Sequence, residues 1–330
     1  MPIPSGALRF NSDSGKLEYY NGEVWWQIDN FSADNATGGA RGVFGGGGYP
    51  TTVNTIDYIT ISTTGNALDF GDLSGAKRFV ASCSSSTRGV FGGGYSPTPL
   101  SSAINVIQFI TIASTGDVTD FGDLTRSNWG LAGCSSSTRG AFAGGGPTIV
   151  NTIDYITISS TGDAKDFGDL IAVTRESGAC SSSVRGIFAG GVTPGLTNTI
   201  NFITISSTGN ASDFGDLNQA RTRLAGCSSS TRGVFGGGIT PTIVNTIDYI
   251  TISSTGNASD FGDLTQESRS LAGCSSSTRG VFAGGDIPSG ETNVIQYVTI
   301  LTTGNAIDFG DLFAGRGEGV SALSNGHGGL

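Results

Sequence analysis

One sequence unit of about 47 residues recurs along this chain, and this repetition constrains the fold more than any other feature. An arginine that follows a run of small residues marks the unit, and its successive copies lie 47, 51, 46, 47 and 47 residues apart. The six copies are Arg41, Arg88, Arg139, Arg185, Arg232 and Arg279. Because repeats of about 40–50 residues with strand-like content are typical of propeller blades, the spacing predicts a β-propeller.

Each repeat contains four segments with strand character, which we label a to d. In the last complete copy they cover residues 271–277, 281–285, 293–301 and about 306–312. The segments alternate β-branched and aromatic residues with other types, and no segment shows helical periodicity. Strand a is rich in small residues, as expected where blades crowd around a central channel. We therefore predict an all-β, six-bladed propeller of four-stranded blades, in which Phe261 and Phe282 fill the wedge between blades.

The first repeat lacks strand a, and a candidate for the missing strand lies at the other end of the sequence. Residues 30–39 do not contain the small-residue phrase, whereas residues 319–325 carry a comparable run. Counting from Leu312 places Ala322 where other copies have cysteine, and His327 where they have the repeat arginine. We predict that a strand at about 319–326 completes blade 1 and closes the ring, so that the propeller covers residues 41–330.

Residues 1–30 do not match the repeat and are predicted to form a small hairpin module of three short strands, followed by a linker at 31–40. Asn21 and Gly22 are a typical hairpin turn between the second and third strands. The module has more aromatic residues than it can bury alone, so they pack on the propeller or contact another chain. These candidate docking residues are Tyr19, Tyr20, Trp25 and Trp26.

Charge and composition argue against several function classes. The formal net charge of −10 would repel the phosphate backbone of a nucleic acid. The sequence has no apolar stretch long enough to span a membrane and no signal-peptide pattern at its start, so we expect neither membrane insertion nor secretion. It lacks a Ser-His-Asp set, a His-rich metal cluster and a phosphate loop that opens a helix, so we expect no catalysis and no cofactor.

Two repeated residue types could be mistaken for functional sites. Five cysteines share one position of strand a, and we expect buried packing there, because separate blades hold the thiols too far apart for zinc geometry. They are Cys83, Cys134, Cys180, Cys227 and Cys274. The six repeat arginines and the repeated Asp-Phe-Gly-Asp segments suggest Arg–Asp pairs that tie turns together, with anion binding as the alternative.

One face of the predicted propeller is the candidate binding surface. It carries the b–c and d–a loops, which differ most between copies, and variable loops on a rigid scaffold are common binding elements. The candidate binding residues lie near the channel mouth on this face, and they are Arg78, Trp129, Arg175, Arg221, Arg223 and Arg269. Because arginine beside an aromatic ring suits a carboxylate or a sugar, we predict a ligand that carries one of these groups.

The repeat resembles the kelch repeat. In the last copy the matching features are Arg269, the run 271–274, the Gly-Gly pair that ends 281–285, Tyr297, and the run 309–312, where phenylalanine replaces the usual tryptophan. The resemblance covers roughly the whole propeller. It implies the fold and is nearly silent about function.

The N-terminal segment 6–25 resembles a short element of bacteriophage tail-fibre and other virion proteins, and glycine-rich kelch-like arrays are similar to structural proteins of marine phages (cyanophage-type). This resemblance implies a non-enzymatic protein that is made in the host cytoplasm and located in the virion, as a tail fibre, tail appendage or attachment component. Its N-terminal module would bind other virion proteins, and its propeller would contact neighbouring virion proteins or a host-surface glycan or protein. Homo-oligomerisation stays open.

Two other functions remain as alternatives. An intracellular kelch-type adaptor would bind a protein partner through the same loops, but it has no need of a docking hairpin. A glycan-active propeller enzyme would need clustered acids, arginines and a tyrosine, and the repeated turns do not reproduce that pattern.

Overall fold

The structure is a computed structural model that describes residues 4, 6–11, 16–27, 40–48, 51–97 and 102–330, with only the backbone at 10, 11, 16, 17, 26 and 27. The described residues form strands, turns and bends and contain no helix, as predicted. The chain divides into two compact units, Met1–Gly39 and Ala40–Leu330. Apart from residue 40, the predicted linker at 31–40 lies outside the described residues.

The first unit contains a three-stranded antiparallel sheet of β1 (Leu8–Asn11), β2 (Lys16–Tyr20) and β3 (Trp25–Gln27) in that order. Its turn follows from the sequence, because the Asn21 side chain accepts hydrogen bonds from the backbone N–H groups of residues 23 and 24. On one face, the Arg9 guanidinium pairs with Glu18 at 2.6 Å and lies 4.2 Å above the Trp25 ring. These contacts give the small sheet a polar and aromatic face of its own.

The second unit is a six-bladed propeller within the residues that the structure describes. In chain order its strands are β4 (Arg41–Gly45), β5 (Thr55–Thr60), β6 (Leu68–Asp72), β7 (Ala81–Ser84), β8 (Arg88–Gly92), β9 (Tyr95–Ser96), β10 (Ser102–Thr111), β11 (Thr119–Asn128), β12 (Ala132–Ser135), β13 (Arg139–Ala143), β14 (Val150–Thr157), β15 (Lys165–Thr174), β16 (Gly178–Ser181) and β17 (Arg185–Ala189). They continue with β18 (Thr199–Thr204), β19 (Ser212–Asp216), β20 (Ala225–Ser228), β21 (Arg232–Gly236), β22 (Thr246–Thr251), β23 (Ser259–Asp263), β24 (Ala272–Ser275), β25 (Arg279–Ala283), β26 (Asp286–Ile287), β27 (Gly290–Glu291), β28 (Val294–Thr299), β29 (Ile307–Asp311) and β30 (Ser321–Ser324).

The sheet order within each blade confirms the predicted four-stranded unit. From the inner to the outer strand, blade 1 is β30-β4-β5-β6, blade 2 is β7-β8-β10-β11, blade 3 is β12 to β15, blade 4 is β16 to β19, blade 5 is β20 to β23, and blade 6 is β24-β25-β28-β29. The short strand β9 pairs with β10, and β26 and β27 form a ribbon within one b–c loop. The inner strand of blade 6 is shorter than the predicted 271–277, because only its four central residues pair with β25.

The hydrophobic core lies between neighbouring blades. One cluster joins Val234 and Phe261 of blade 5 to Phe282 and Val298 of blade 6, and all four side chains are buried. Equivalent clusters occur at the other blade junctions. This confirms that the phenylalanines of strands b and d fill the wedge between blades. Because each wedge needs both of its blades, the ring is the unit that buries apolar surface.

The C-terminal strand closes the ring as predicted, but in a register shifted by one residue. β30 pairs antiparallel with β4, and Leu323 lies opposite Val43. The cysteines of the other blades occupy this position, as shown by Cys274 opposite Val281. The prediction that Ala322 takes the cysteine position is therefore wrong. The last d–a connection is one residue longer than the others, so counting from Leu312 misplaced the strand.

Around the channel, one serine of each inner strand donates its hydroxyl hydrogen to the backbone carbonyl of the equivalent serine in the preceding blade. The donors Ser84, Ser135, Ser181, Ser228, Ser275 and Ser324 do so at distances of 2.6–2.9 Å. The six bonds close on themselves through Ser324. The strands approach so closely that a β-carbon at Gly226 would overlap the carbonyl oxygen of Ala179. This explains the small residues of strand a.

The repeat arginines link neighbouring blades and do not form the predicted Arg–Asp pairs. Arg88 illustrates the arrangement, since its guanidinium lies 4.2 Å above the Phe109 ring of its own blade and donates to the carbonyl oxygen of Ile158 in the next blade at 2.9 Å. All six arginines make this pair of contacts, and Arg279 closes the circle by donating to the Ile61 carbonyl of blade 1. Aromatic stacking and a backbone carbonyl replace the carboxylate as partners.

The segment after β30 folds over one end of the channel. Asn325 takes over a turn contact by accepting a hydrogen bond from the Arg41 backbone N–H at 2.8 Å. His327 lies in the channel and does not take the place of the repeat arginine as predicted. Its Nδ1 accepts from the Gly329 N–H at 3.0 Å, and its Nε2 is 3.1 Å from the Ser84 carbonyl oxygen, which it therefore faces as a donor.

The environment of His327 leads to a pH-dependent stability. Burial lowers the pKa of His327 to about 4 from 6.5, although the bond to the Ser84 carbonyl acts in the opposite direction. The unfolded chain therefore binds a proton at a higher pH than the native protein does. Protonation of His327 should not reduce the free energy of unfolding above pH 6.5. The free energy of unfolding should fall as the pH drops from 6.5 to 4, by up to about 3 kcal/mol. Denaturant unfolding at several pH values should show this slope, and His327→Gln should flatten it. An equal slope in both proteins would contradict the prediction.

Candidate functional site

A ring of left-handed backbone positions surrounds the channel mouth on the face of the b–c and d–a loops. One residue from each d–a loop contributes, with φ between 54° and 78°. We call these residues the mouth ring, and they are Phe79, Gly130, Glu176, Arg223, Ser270 and Gly319. Backbone hydrogen bonds join successive members; for example, the Glu176 N–H donates to the Gly130 carbonyl at 2.7 Å and the Arg223 N–H donates to the Glu176 carbonyl at 2.9 Å.

Four members of the mouth ring hold a costly conformation. A left-handed backbone costs a residue with a β-carbon roughly 1–2 kcal/mol, whereas glycine adopts it freely. Gly130 and Gly319 show that glycine satisfies the geometry of this position. Phenylalanine, glutamate, arginine and serine occupy the other four places, so these side chains are present at a cost that the scaffold does not require. Such strain is concentrated at functional sites in proteins.

The mouth ring encloses a pocket of about 100 Å³, which we call the mouth pocket. Its floor consists mainly of buried aliphatic side chains from the residues that follow the mouth ring, namely Val80, Leu131, Leu224, Leu271 and Val320. Its rim consists of the four non-glycine members of the ring. The pocket therefore combines an apolar base with a charged and aromatic rim, which is the usual composition of a binding pocket.

Four of the predicted binding residues lie directly beside the mouth ring. Each forms an antiparallel bridge to the b–c loop of its own blade, and the pairs are Arg78 with Tyr95, Trp129 with Gly146, Arg175 with Val192, and Arg269 with Asp286. A fifth, Arg223, belongs to the mouth ring itself. The structure thus brings these five residues together at the mouth.

Arg221 lies elsewhere. Its side chain is completely buried within blade 5, where the guanidinium pairs with Asp248 at 3.2 Å and donates to the Phe235 carbonyl at 3.1 Å. Burial lowers the pKa of Arg221, while the charge of Asp248 opposes this effect. The alternation of side chains along an extended segment sends Arg221 inward and leaves its neighbour Thr222 at the position beside the ring. Arg221 therefore supports the scaffold and does not face a ligand.

Ion pairs organise the charged rim. Arg223 forms a two-bonded pair with Glu176, with Nε–Oε2 and Nη2–Oε1 distances of 2.9 and 3.2 Å. Burial alone would lower the pKa of Arg223, but Glu176, Glu318 and Asp286 raise it above its usual value. Arg78 pairs with Glu318, and the Nε atom of Arg269 lies 3.5 Å from the Oδ2 atom of Asp286. Three carboxylates therefore lie close enough to Arg223 to raise its pKa across the mouth.

An aromatic pair lies beside these ion pairs. The ring centroids of Phe79 and Trp129 are 5.3 Å apart. The guanidinium carbon of Arg223 lies 5.3 Å from the Phe79 centroid, and that of Arg175 lies 5.1 Å from the Trp129 centroid. The guanidinium carbon of Arg78 also lies 5.9 Å from the Phe79 centroid, so three cations flank one aromatic pair.

Sequence reasoning missed Phe79, Glu176, Ser270, Asp286 and Glu318. The first three stand four residues before the strand-a cysteine, a position at which the copies differ in residue type. That variability was a usable signal. The left-handed backbone that makes the position unusual, however, depends on loop geometry and cannot be read from one residue type.

The cysteines occupy the blade junctions. All five are buried, and the Sγ of Cys274 would contact a β-carbon placed at Gly42 of the next blade. Burial raises the pKa of Cys134 and Cys227 to about 12, and it raises that of the other three thiols as well. A thiol in this environment is a small apolar group. In the described part of the chain, no three His, Cys, Asp or Glu side chains are placed to hold a metal ion.

The predicted docking residues divide between the two faces of the N-terminal sheet. The rings of Tyr20 and Trp25 contact each other at a tilt, with centroids 5.2 Å apart, on the face that carries Arg9. Tyr19 is 39 % exposed and pairs across the sheet with Leu8, which is 60 % exposed. The side chain of Trp26 lies outside the described residues. The second face therefore presents apolar side chains to solvent.

No helix that could span a membrane occurs among the residues that the structure describes. Comparison with protein-family models finds no match to this chain, and comparison with curated proteins finds none.

Proposed function

We propose that this chain is a non-enzymatic structural and binding component of a bacteriophage virion, such as a tail fibre, tail appendage or attachment protein, whose propeller holds a partner protein at its mouth. The observation that carries the binding role is the mouth ring. Four strained side chains surround an apolar pocket at a position where glycine would satisfy the fold. A scaffold kept only for its shape has no need of them.

The placement in a virion rests on the N-terminal unit. Its segment 6–25 resembles an element of phage tail proteins, and it forms a small sheet with Leu8 and Tyr19 exposed on one face. Exposed apolar side chains on so small a sheet suit attachment to another virion protein. In this proposal the N-terminal unit attaches the chain to the particle and the propeller recognises a neighbouring virion protein or a host-surface protein.

The absence of catalysis is part of the proposal. The mouth carboxylates Glu176, Asp286 and Glu318 are engaged in ion pairs with arginines. A general acid or base needs a carboxyl group that exchanges a proton near the working pH. Carboxylates that are engaged in ion pairs with arginines suit binding better than proton transfer.

The location is tested by mass spectrometry of purified particles from a culture that makes this protein. We expect the chain at a fixed copy number per particle, retained through density-gradient purification. Its absence from particles would reject the virion assignment and favour the alternative of an intracellular adaptor.

The binding role is tested by capture of proteins from dissociated particles and of host-surface proteins on the immobilised full chain. Phe79→Gly should abolish capture and leave the fold intact, because glycine suits a φ of 54°. Val184→Thr is the matched control. Val184 is 58 % exposed in the a–b turn of blade 4, and four other blades carry threonine there. Capture that survives Phe79→Gly, or that is lost equally in both variants, would reject the mouth as the binding surface.

A further inference from the structure

The charges at the mouth do not balance. Four arginines lie at the mouth: one lines the mouth pocket and three form the bridges beside the mouth ring. Three of the four have a carboxylate partner among the described residues. The pairs are Arg78 with Glu318, Arg223 with Glu176, and Arg269 with Asp286. Arg175 is the fourth. Among the residues that the structure describes, its side chain has neither an ion-pair nor a hydrogen-bond partner.

Backbone hydrogen bonds and an aromatic ring nevertheless hold Arg175 in place. Its backbone N–H donates to the Val192 carbonyl at 3.1 Å and its carbonyl accepts from the Val192 N–H at 2.9 Å. Its guanidinium carbon lies 5.1 Å from the Trp129 ring centroid. Its Nε is buried without an acceptor. The Nε atoms of Arg78 and Arg269 are buried without an acceptor as well, but those two side chains have carboxylate partners. A buried donor without an acceptor is costly, so Arg175 favours a ligand that supplies one.

The surroundings indicate the charge of that ligand. The chain has a net charge of −10, and three carboxylates already lie around the mouth. A dianion such as a phosphate ester would be repelled by these groups, whereas a single negative charge neutralises the one unpaired cation. A carboxylate also matches the planar guanidinium, which can donate two parallel hydrogen bonds to it.

The pocket beside this arginine indicates what adjoins the charge. Trp129 contacts Phe79 with its ring tilted, and Phe79 forms part of the rim of the mouth pocket. The floor of the pocket is aliphatic and its volume is about 100 Å³, enough for one side chain of moderate size. A position for an acidic group and a position for an apolar side chain thus lie side by side.

We propose that Arg175, held against Trp129, binds a carboxylate of the partner protein while an adjoining apolar side chain of that partner enters the mouth pocket. This inference rests on the proposed function, in which the mouth binds a partner protein. The carboxylate has two sources in a protein, an acidic side chain or the free carboxylate at the end of a chain.

Three short peptides serve as probes. N-acetyl-Leu-Glu-amide carries a side-chain carboxylate, N-acetyl-Gln-Leu carries a terminal carboxylate, and N-acetyl-Leu-Gln-amide is neutral. Binding to the full-length protein is followed by NMR from the indole N–H signal of Trp129 and the Nε–H signal of Arg175. We expect at least one charged probe to bind tenfold or more tightly than the neutral one, and the tighter of the two identifies the source.

Variants of the full chain test the role of Arg175. Arg175→Gln should remove the preference for the charged probe, and Arg175→Lys should retain only part of it because an ammonium group cannot make two parallel bonds. Arg126→Gln makes the same change in net charge at an exposed position of β11 and should leave the preference unchanged.

The inference fails if the three probes bind equally, if neither charged probe binds at 20 mM, or if Arg175→Gln keeps the preference. The proposed function survives each of these results as long as capture of a partner protein still depends on Phe79. Loss of that dependence would reject both the proposed function and the inference.

Discussion

Removal of residues 319–330 should open the ring and abolish cooperative unfolding of the propeller. These residues supply the inner strand of blade 1, and Leu323 is buried in the wedge with Val43 and Ile110. They also supply Ser324, which both accepts and donates a bond of the serine ring. Since a domain is stabilised by only about 5–15 kcal/mol, loss of a strand, a wedge residue and the ring closure together is of the same order as the whole stability.

Thermal and denaturant unfolding measure this effect, with circular dichroism and Trp129 fluorescence as independent probes. Point variants measure the contributions of single residues, because truncation removes several contacts at once. Leu323→Ala should cost about 2–5 kcal/mol, the usual range for a buried leucine. Ala322→Gly changes its half-buried neighbour in the same strand and should cost about 1 kcal/mol or less. A truncated chain that melts at the temperature of the full-length protein would show that the ring does not depend on its closing strand.

Arg221→Met should destabilise the propeller by about 3–5 kcal/mol and should not act through ligand binding. The side chains of Arg221 and Asp248 are both fully buried, and the substitution leaves Asp248 with Asn218 as its remaining side-chain partner, at 2.7 Å. An uncompensated buried charge is among the most destabilising single changes. Burial raises the pKa of Asp248 and Arg221 opposes that rise, so without Arg221 the carboxyl should take up a proton at a higher pH.

The matched control is Arg269→Met at the mouth. The pair of Arg269 with Asp286 is partly exposed and spans 3.5 Å, so its loss should cost less than about 1 kcal/mol. The double variant Arg221→Met/Asp248→Leu removes both buried charges and should recover much of the lost stability. Urea unfolding of the unmodified protein and of these three variants compares the effects. An Arg221→Met protein that keeps its stability but no longer captures a partner would contradict this prediction and would assign Arg221 to the binding surface.

The repeat made most of the fold predictable. Its period indicates blades, its strand segments indicate four strands per blade, and the missing first strand indicates closure from the other end. The error at Ala322 arose from a single extra residue in the last d–a connection, which counting cannot detect. Only the pairing of Leu323 with Val43 resolves the register, because the wedge accepts an apolar side chain there and the channel accepts a small one.

The candidate site was less predictable. Five of the six predicted binding residues do meet at the mouth, because four share one position relative to strand a in different blades and Arg223 occupies the next position. The sixth, Arg221, is buried, and no composition rule distinguishes it from Arg223 two positions later. The contacts of the repeat arginines were also not predicted correctly, since a carbonyl of the next blade is a partner that only the assembled ring supplies.

The sequence by itself determined the blade count, the strand content of each blade, the closing of the ring and the face on which the copies differ. These properties repeat along the chain or interrupt a repeat, so they are visible in the sequence. The tertiary structure decided which side chains meet across the channel, which arginine is left without a carboxylate, and which residues bear a left-handed backbone. Those properties arise between blades that are distant in sequence, and they depend on distances of a few ångströms that a linear pattern does not carry.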